Sequence, residues 1–198
     1  MTSQATRRIL AFSGSARHNS YNTMLVRIAA RGAEAVGAVV TIVDLRDYPL
    51  PLFDEDLERE NGPPENATKL KQLFLEHRGL LISSPEYNSS VTPLLKNTID
   101  WVSRAAAGES PLAAYKDKVA ALMSASPGGL GGLRGLVHVR SILSNIGVLV
   151  LPDQIAVSCA FEAFDASGDL KDEKQRDRVK KLGEGLAGVI ARLGAGDP

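Results

Sequence analysis

Short apolar runs and segments of helical period take turns along the chain, and few architectures accept that order. Arg7 to Phe12 (R-R-I-L-A-F) reads as a strand, and apolar spacing resumes in helical form at Met24, Leu25, Ile28 and Ala29 until Gly37 closes the helix. Val39 to Val43 is a β-branched run without strict alternation, as expected of a parallel strand covered on both faces. Leu80 to Ile82 forms a third run, followed by a polar loop and a helix carrying Leu95, Thr98, Ile99 and Val102. Lys118 to Met123 is the fourth strand, and a helix with Leu133, Leu136, Val137, Arg140, Leu143 and Ile146 follows it. A fifth strand, V-L-V-L after Gly147, is expected to stop at Pro152. The last segment keeps helical period at Val179, Leu182, Leu186, Val189, Ile190 and Leu193.

Alternation of this kind points to an α/β chain with a parallel sheet and helices on both faces. The commonest five-stranded solution has the order 2-1-3-4-5, which brings the loops after strands one, three and four to one edge. With 198 residues, 44% of them hydrophobic, the chain can bury one substantial core, so residues 1–198 are read as a single domain. Lys+Arg and Asp+Glu both number 23. That balance offers no electrostatic footprint for nucleic acid or an anionic membrane. The first residues, M-T-S-Q-A-T-R-R, hold no apolar leader, no run approaches the length of a bilayer span, and the lone Cys159 cannot form an internal disulfide. A cytoplasmic protein is expected, with Cys159 as a small buried apolar residue and His18, His77 and His138 as scattered surface or helix residues.

Leu45 to Asn66 is rich in Pro and acidic residues, with Tyr48, Leu50, Leu52 and Phe53 interleaved, and reads as a long loop before a helix from about Ala67 to Glu76. A solvated connection and a subunit contact both fit its composition.

The three loops at the common edge have unusual composition. Ser13 to Asn22 (S-G-S-A-R-H-N-S-Y-N) runs into a helix N-terminus. Backbone N–H groups and the positive end of the helix dipole face whatever lies above it. Ser15, Ser20, Asn22 and Arg17 supply neutral donors and one guanidinium, an inventory suited to a phosphate monoester, although Ser20 or Asn22 would also serve as an ordinary helix cap. Neither the dinucleotide nor the triphosphate fingerprint fits, because Ala16 stands where a second Gly would be and no G-K-[ST] ending follows. In the second loop, Pro85-Glu86-Tyr87-Asn88, Pro85 fixes the backbone so that the following N–H groups can point one way, and Tyr87 offers a flat ring or a plug into the core. The third, around Ser124, Ser126 and the Gly/Pro residues from Pro127 to Gly132, lets backbone approach a ligand closely or serves as a flexible connection.

Together G-S-x-R-x-x-S-x-N at Gly14 to Asn22, P-E-Y-N-x-S at Pro85 to Ser90, L-K-N-x-I-D-W at Leu95 to Trp101 and the glycine turn at Gly128 to Gly132 resemble the NADPH-dependent FMN reductase family, which includes quinone, chromate and azo-dye reductases. The resemblance implies a flavodoxin-like three-layer sandwich binding FMN. It implies that Ser15, Arg17, Ser20 and Asn22 hold the phosphate with Tyr21 beside them, that Pro85, Glu86, Tyr87 and Asn88 line the isoalloxazine, and that Ser126 with Gly128 closes the far edge. Ala16 and Pro93 depart from common family choices without touching an expected donor. A hydride relay from NADPH or NADH through FMN to a small-molecule electron acceptor such as a quinone is implied, with no metal and no catalytic triad. So is a homodimer or homotetramer whose contact lies near Trp101 to Arg104. A flavodoxin-like electron carrier and a flavin-binding regulator without turnover are the rival readings.

Overall fold

A computed structural model describes residues 7–194; the N-terminal stretch read as lacking a leader falls largely within residues 1–6, outside the described residues. Strands β1 (Arg8–Ser13), β2 (Val39–Val43), β3 (Gly79–Ser83), β4 (Val119–Ala125) and β5 (Leu149–Val157) form one parallel sheet in the order β2-β1-β3-β4-β5. Helices α1 (Tyr21–Ala35), α2 (Glu55–Asn61), α3 (Glu65–Glu76), α4 (Pro93–Val102), α5 (Leu133–Asn145), α6 (Ala160–Ala163) and α7 (Glu173–Gly194) surround it.

The central strands carry apolar residues on both faces because both faces are covered. Every residue of β3 and β4 is buried. On one face Ile9, Ala11, Leu81, Ala121 and Met123 pack under α1 and α7, through Leu25, Ile28 and Ala29 and through Val179, Leu182, Leu186 and Ile190. On the other, Leu10, Phe12, Leu80, Ile82, Ala120 and Leu122 meet α3, α4 and α5 through Leu70, Phe74, Leu95, Ile99, Leu136 and Leu143. Alternate residues of one strand therefore serve different layers.

Helices α1 and α7 approach through glycine. A Cβ on Gly183 would stand 1.9 Å from the Ala29 carbonyl oxygen, and one on Gly32 would stand 2.1 Å from that of Lys180. Nothing larger fits there.

Four expectations change. The segment from Leu45 to Asn66 is no single loop: a 3₁₀ turn (Leu45–Asp47) and helix α2 interrupt it. No residue of α2 is buried, so no apolar stripe announced it, but Asp54 accepts from the N–H groups of Asp56 and Leu57 and Gly62 ends it at φ 74°. Strand β5 continues past Pro152, which sits where the register with β4 slips between Ala120 and Leu122. On an edge strand an irregularity can absorb the missing N–H. Cys159 is exposed, in a left-handed conformation at the cap of α6, instead of buried. His77 is buried, with Nδ1 2.6 Å from the Leu73 carbonyl and Nε2 2.7 Å from Thr41 Oγ1.

Candidate cofactor site

Parallel register places Ser13 beside Ser83 and Ser83 beside Met123, so the loops leaving β1, β3 and β4 emerge together at the carboxyl edge. Between them lies a cleft of about 70 Å³, lined by Ser15, Arg17, Ser20, Tyr21 and Asn22 from the first loop, Pro85, Glu86 and Tyr87 from the second, and Ala125, Ser126 and Pro127 from the third. Every expected site residue except Asn88 and Gly128 is on that wall. Asn88 stands instead at the tip of a tight turn, with φ 50° followed by 66° at Ser89, closed by reciprocal hydrogen bonds between Tyr87 and Ser90. The Tyr87 N–H is consequently spent within its own loop. Gly128 donates its N–H to Ser126 Oγ at 3.2 Å.

Three long helices begin at this edge, and only one start is left open. At α4, Thr92 accepts from the Leu95 N–H at 3.2 Å, and Pro93 has no N–H to satisfy. At α5, the Gly135 N–H donates to Glu86 Oε2 at 3.0 Å, so a carboxylate from the second loop already sits against that dipole. At α1, Ser20 Oγ accepts from the Asn22 N–H at 3.2 Å, while the N–H groups of Tyr21 and Thr23 make no hydrogen bond among the described residues. The Arg17 guanidinium lies above the Tyr21 ring, 5.9 Å from its centroid, and Tyr21 stacks on Phe164 at 5.5 Å. An anion has one ready seat here, the N-terminus of α1 with Ser15, Ser20 and Arg17 around it.

Asn22 does different work from the other polar residues. It is 4% exposed; its Nδ2 donates to the Ala125 carbonyl at 2.8 Å, and its Oδ1 accepts from the Ala125 N–H and from Ser83 Oγ, both at 2.9 Å. Its side chain clips the first turn of α1 to the ends of β3 and β4. His18 does not line the cleft either: Arg46, held by Asp44, donates to its Nδ1.

Glu86 turns its carboxylate toward α5. Oε1 accepts from Arg134 Nε at 2.9 Å and Nη2 at 2.6 Å. Burial resists ionisation of this carboxyl and is the largest influence, but the Gly135 N–H and the Arg134 guanidinium outweigh it and hold the pKa below the ordinary value. Sequence reading missed Arg134, Thr92 and Ala125, and took Pro127 only as part of the third loop. Thr92-Pro93 is an N-cap signature that could have been found; Ala125 and Pro127 merely flank Ser126. Nothing in the sequence ties Glu86 to a residue 48 positions away.

A second cavity, of about 290 Å³, shares no residue with the cleft and opens between α2, α3 and the C-terminal end of α4. Its cations are already engaged. Lys71 pairs with Glu109 and donates to the Arg104 carbonyl, and Arg104 pairs with Glu58. Among the described residues there is no group of His, Cys, Asp and Glu able to hold a metal ion, and no helix long and apolar enough to cross a membrane.

Known proteins resemble this chain in sequence and fold. The chain is 36% identical over 191 residues to an NADPH:quinone oxidoreductase of Arabidopsis thaliana, covering 94% of this chain and 93% of that one. It is 33% identical over 187 residues to an NAD(P)H-dependent FMN reductase of Pseudomonas aeruginosa, covering 94% and 96%. Among solved structures, FerB, a flavoenzyme NAD(P)H:(acceptor) oxidoreductase from Paracoccus denitrificans, superposes with a TM-score of 0.78 at 26% identity over 94% of this chain and 98% of that one. A flavodoxin from the domain Archaea matches at 0.60 and 11% identity, covering 92% and 98%, a likeness of fold alone. The family profile of NADPH-dependent FMN reductase matches residues 7–162, a span that takes in all three edge loops, and the chain belongs to that family.

Proposed function

We propose that this protein is an FMN-dependent oxidoreductase that takes reducing equivalents from NADPH or NADH and passes them to a quinone or a related small electron acceptor. The observation that carries this reading is the open N-terminus of α1, set in a cleft lined by all three edge loops, while the α4 and α5 termini are already satisfied. The donor set suits FMN: free N–H groups, two hydroxyls and a guanidinium for the phosphate, and the Glu86 N–H for the ring edge. FMN, when bound, supplies the electron exchange, and the protein supplies orientation and electrostatics. Ser15, Ser20 and Arg17 would hold the phosphate. Tyr87, 47% exposed, would border the ring, Ser126 would close the other side, and Asn22 would fix the wall on which the others stand.

The chain works in this reading as one FMN-binding domain, as a homodimer or homotetramer in the cytoplasm, without nucleic acid or membrane partners. The segment before α2 supports the subunit contact: it is fastened over the buried Trp101, whose ring donates to the Pro51 carbonyl at 2.8 Å and packs edge-on against Phe53, and it leaves Leu52 79% exposed. An absorption spectrum with FMN added, then anaerobic NADPH, then a benzoquinone, tests the whole. Bleaching of the flavin band by NADPH and its return with quinone are expected. A bound flavin that NADPH cannot bleach would favour a carrier or regulator, and no binding would remove the reading.

A further inference from the structure

The second loop reaches the cleft through a brace that spans two chain segments. Glu86 lies between two residues that line the cleft, yet its side chain, 8% exposed, is directed onto the first turn of α5. There it takes two donors from Arg134 and one from the Gly135 N–H. The loop lies close to position 135: a Cβ there would be 3.2 Å from the Ser90 carbonyl oxygen and 3.3 Å from Glu86 Cβ, so the loop would have to give by a few tenths of an ångström. Four residues beyond Glu86, on the same loop, Ser90 Oγ is 2.8 Å from Nδ1 of His138, one helical turn beyond Arg134. With the carboxylate occupied, the Glu86 N–H makes no hydrogen bond among the described residues and remains available at the cleft wall.

We propose that Glu86 and Arg134 are a positioning pair that sets the second loop against the cofactor and keeps the charge beside it neutral. This rests on the FMN reading above. Arg134 need not touch FMN. Its side chain is 58% exposed and makes no ion pair but Glu86 among the described residues, so its removal leaves a carboxylate held by one N–H at the cleft rim. An uncompensated negative charge opposes the addition of electrons nearby, and an uncompensated positive charge favours it. The two halves of the pair should therefore move the bound cofactor in opposite directions. Loss of packing or of loop order alone could not produce that sign change.

The experiment compares Arg134→Ala, Arg134→Lys and Glu86→Gln. Free-flavin fluorescence gives the FMN affinity of each apoprotein, and anaerobic titration gives the midpoint potential of bound FMN. Arg134→Ala should weaken FMN by roughly three- to tenfold, the span for a contact that acts through another residue, and make the potential more negative. Glu86→Gln should make the potential more positive, and Arg134→Lys should recover part of the wild-type value. Equal potentials in all four proteins, or shifts of the same sign, would overturn the pair's role. Amide exchange at residues 85–90 of the apoproteins separates this from the functional reading: it should quicken in Arg134→Ala whether or not flavin binds, and unchanged exchange would overturn the brace itself. Wild-type protein that takes up no FMN, with exchange still quickened, would instead sink only the FMN reading, and with it the pair's electrostatic role.

Discussion

Replacing Asn22 with Ala distinguishes a side chain that holds the cofactor from one that holds the wall. Three hydrogen bonds disappear, and the groups left behind, the Ala125 N–H, the Ala125 carbonyl and Ser83 Oγ, lie in a buried place. A buried polar group stripped of its partner costs about 1 to 3 kcal/mol. The Ser83 hydroxyl can rotate to another acceptor and water can enter at the cleft side, so the sum falls at about 3 kcal/mol rather than three full penalties. For a chain of this length that lowers Tm by about 6 to 12 °C. Urea unfolding of the apoprotein, followed through Trp101 fluorescence, reads the loss directly, and a flavin titration of the same sample reads the affinity. The stability loss should be present without FMN, with weaker binding as its consequence. Apoprotein stability within about 0.5 kcal/mol of wild type, the range of neutral surface changes, together with lost FMN affinity would refute the clip and restore Asn22 as a direct phosphate ligand.

Arg17→Ala removes an exposed guanidinium from the seat at α1, and FMN affinity should drop by about 1.5 kcal/mol, the low end for a charged hydrogen bond, with the largest effect at low salt; an unchanged titration discards that contact. Lys118 is buried, and desolvation, helped by Arg78, pulls its pKa down to about 8. The unfolded chain keeps that proton up to the ordinary value of 10.5, so the penalty on the folded state is complete below pH 8 and relieved as pH rises between the two values. Stability of the wild type relative to Lys118→Met should rise by up to about 3 kcal/mol across that window in urea unfolding, and parallel pH profiles would contradict it. Gly183→Ala forces a methyl into the Ala29 carbonyl, where contact at 1.9 Å must push α1 off α7. Overpacking of this kind costs about 1 to 3 kcal/mol, and FMN affinity should fall with it because α1 carries the seat; full stability and affinity would mean that the helices separate freely.

Periodicity located every strand and all the long helices, since each is defined by which face it buries. Its failures have physical causes. Helix α2 buries nothing, so only the Asp54 cap and Gly62 mark it. Strand β5 outruns Pro152 because an edge strand tolerates a slip in register that no residue preference announces. The cleft residues were legible as types of donor in loops at one edge, and family resemblance named most of them. How each donor is spent was not legible. Asn22 and Ser20 look interchangeable as sequence and both line the cleft, yet the Asn22 side chain ties the ends of two strands while Ser20 caps α1, and the difference depends on Ala125, 103 positions away. Glu86 likewise reads as a ring-side residue until α5 arrives beside it.

The glycine contact between α1 and α7 also fixes when this protein can first work. A ribosome makes the residues lining the cleft at α1 well before α7, but α1 finds its helical packing partner in residues 173–194. Until then its apolar side, Leu25, Ile28 and Ala29, lacks half its cover. Flavin capture is thereby postponed until residues 173–194 have left the ribosome, and a nascent chain arrested before residue 173 should hold no FMN, although each residue lining the cleft has already been made.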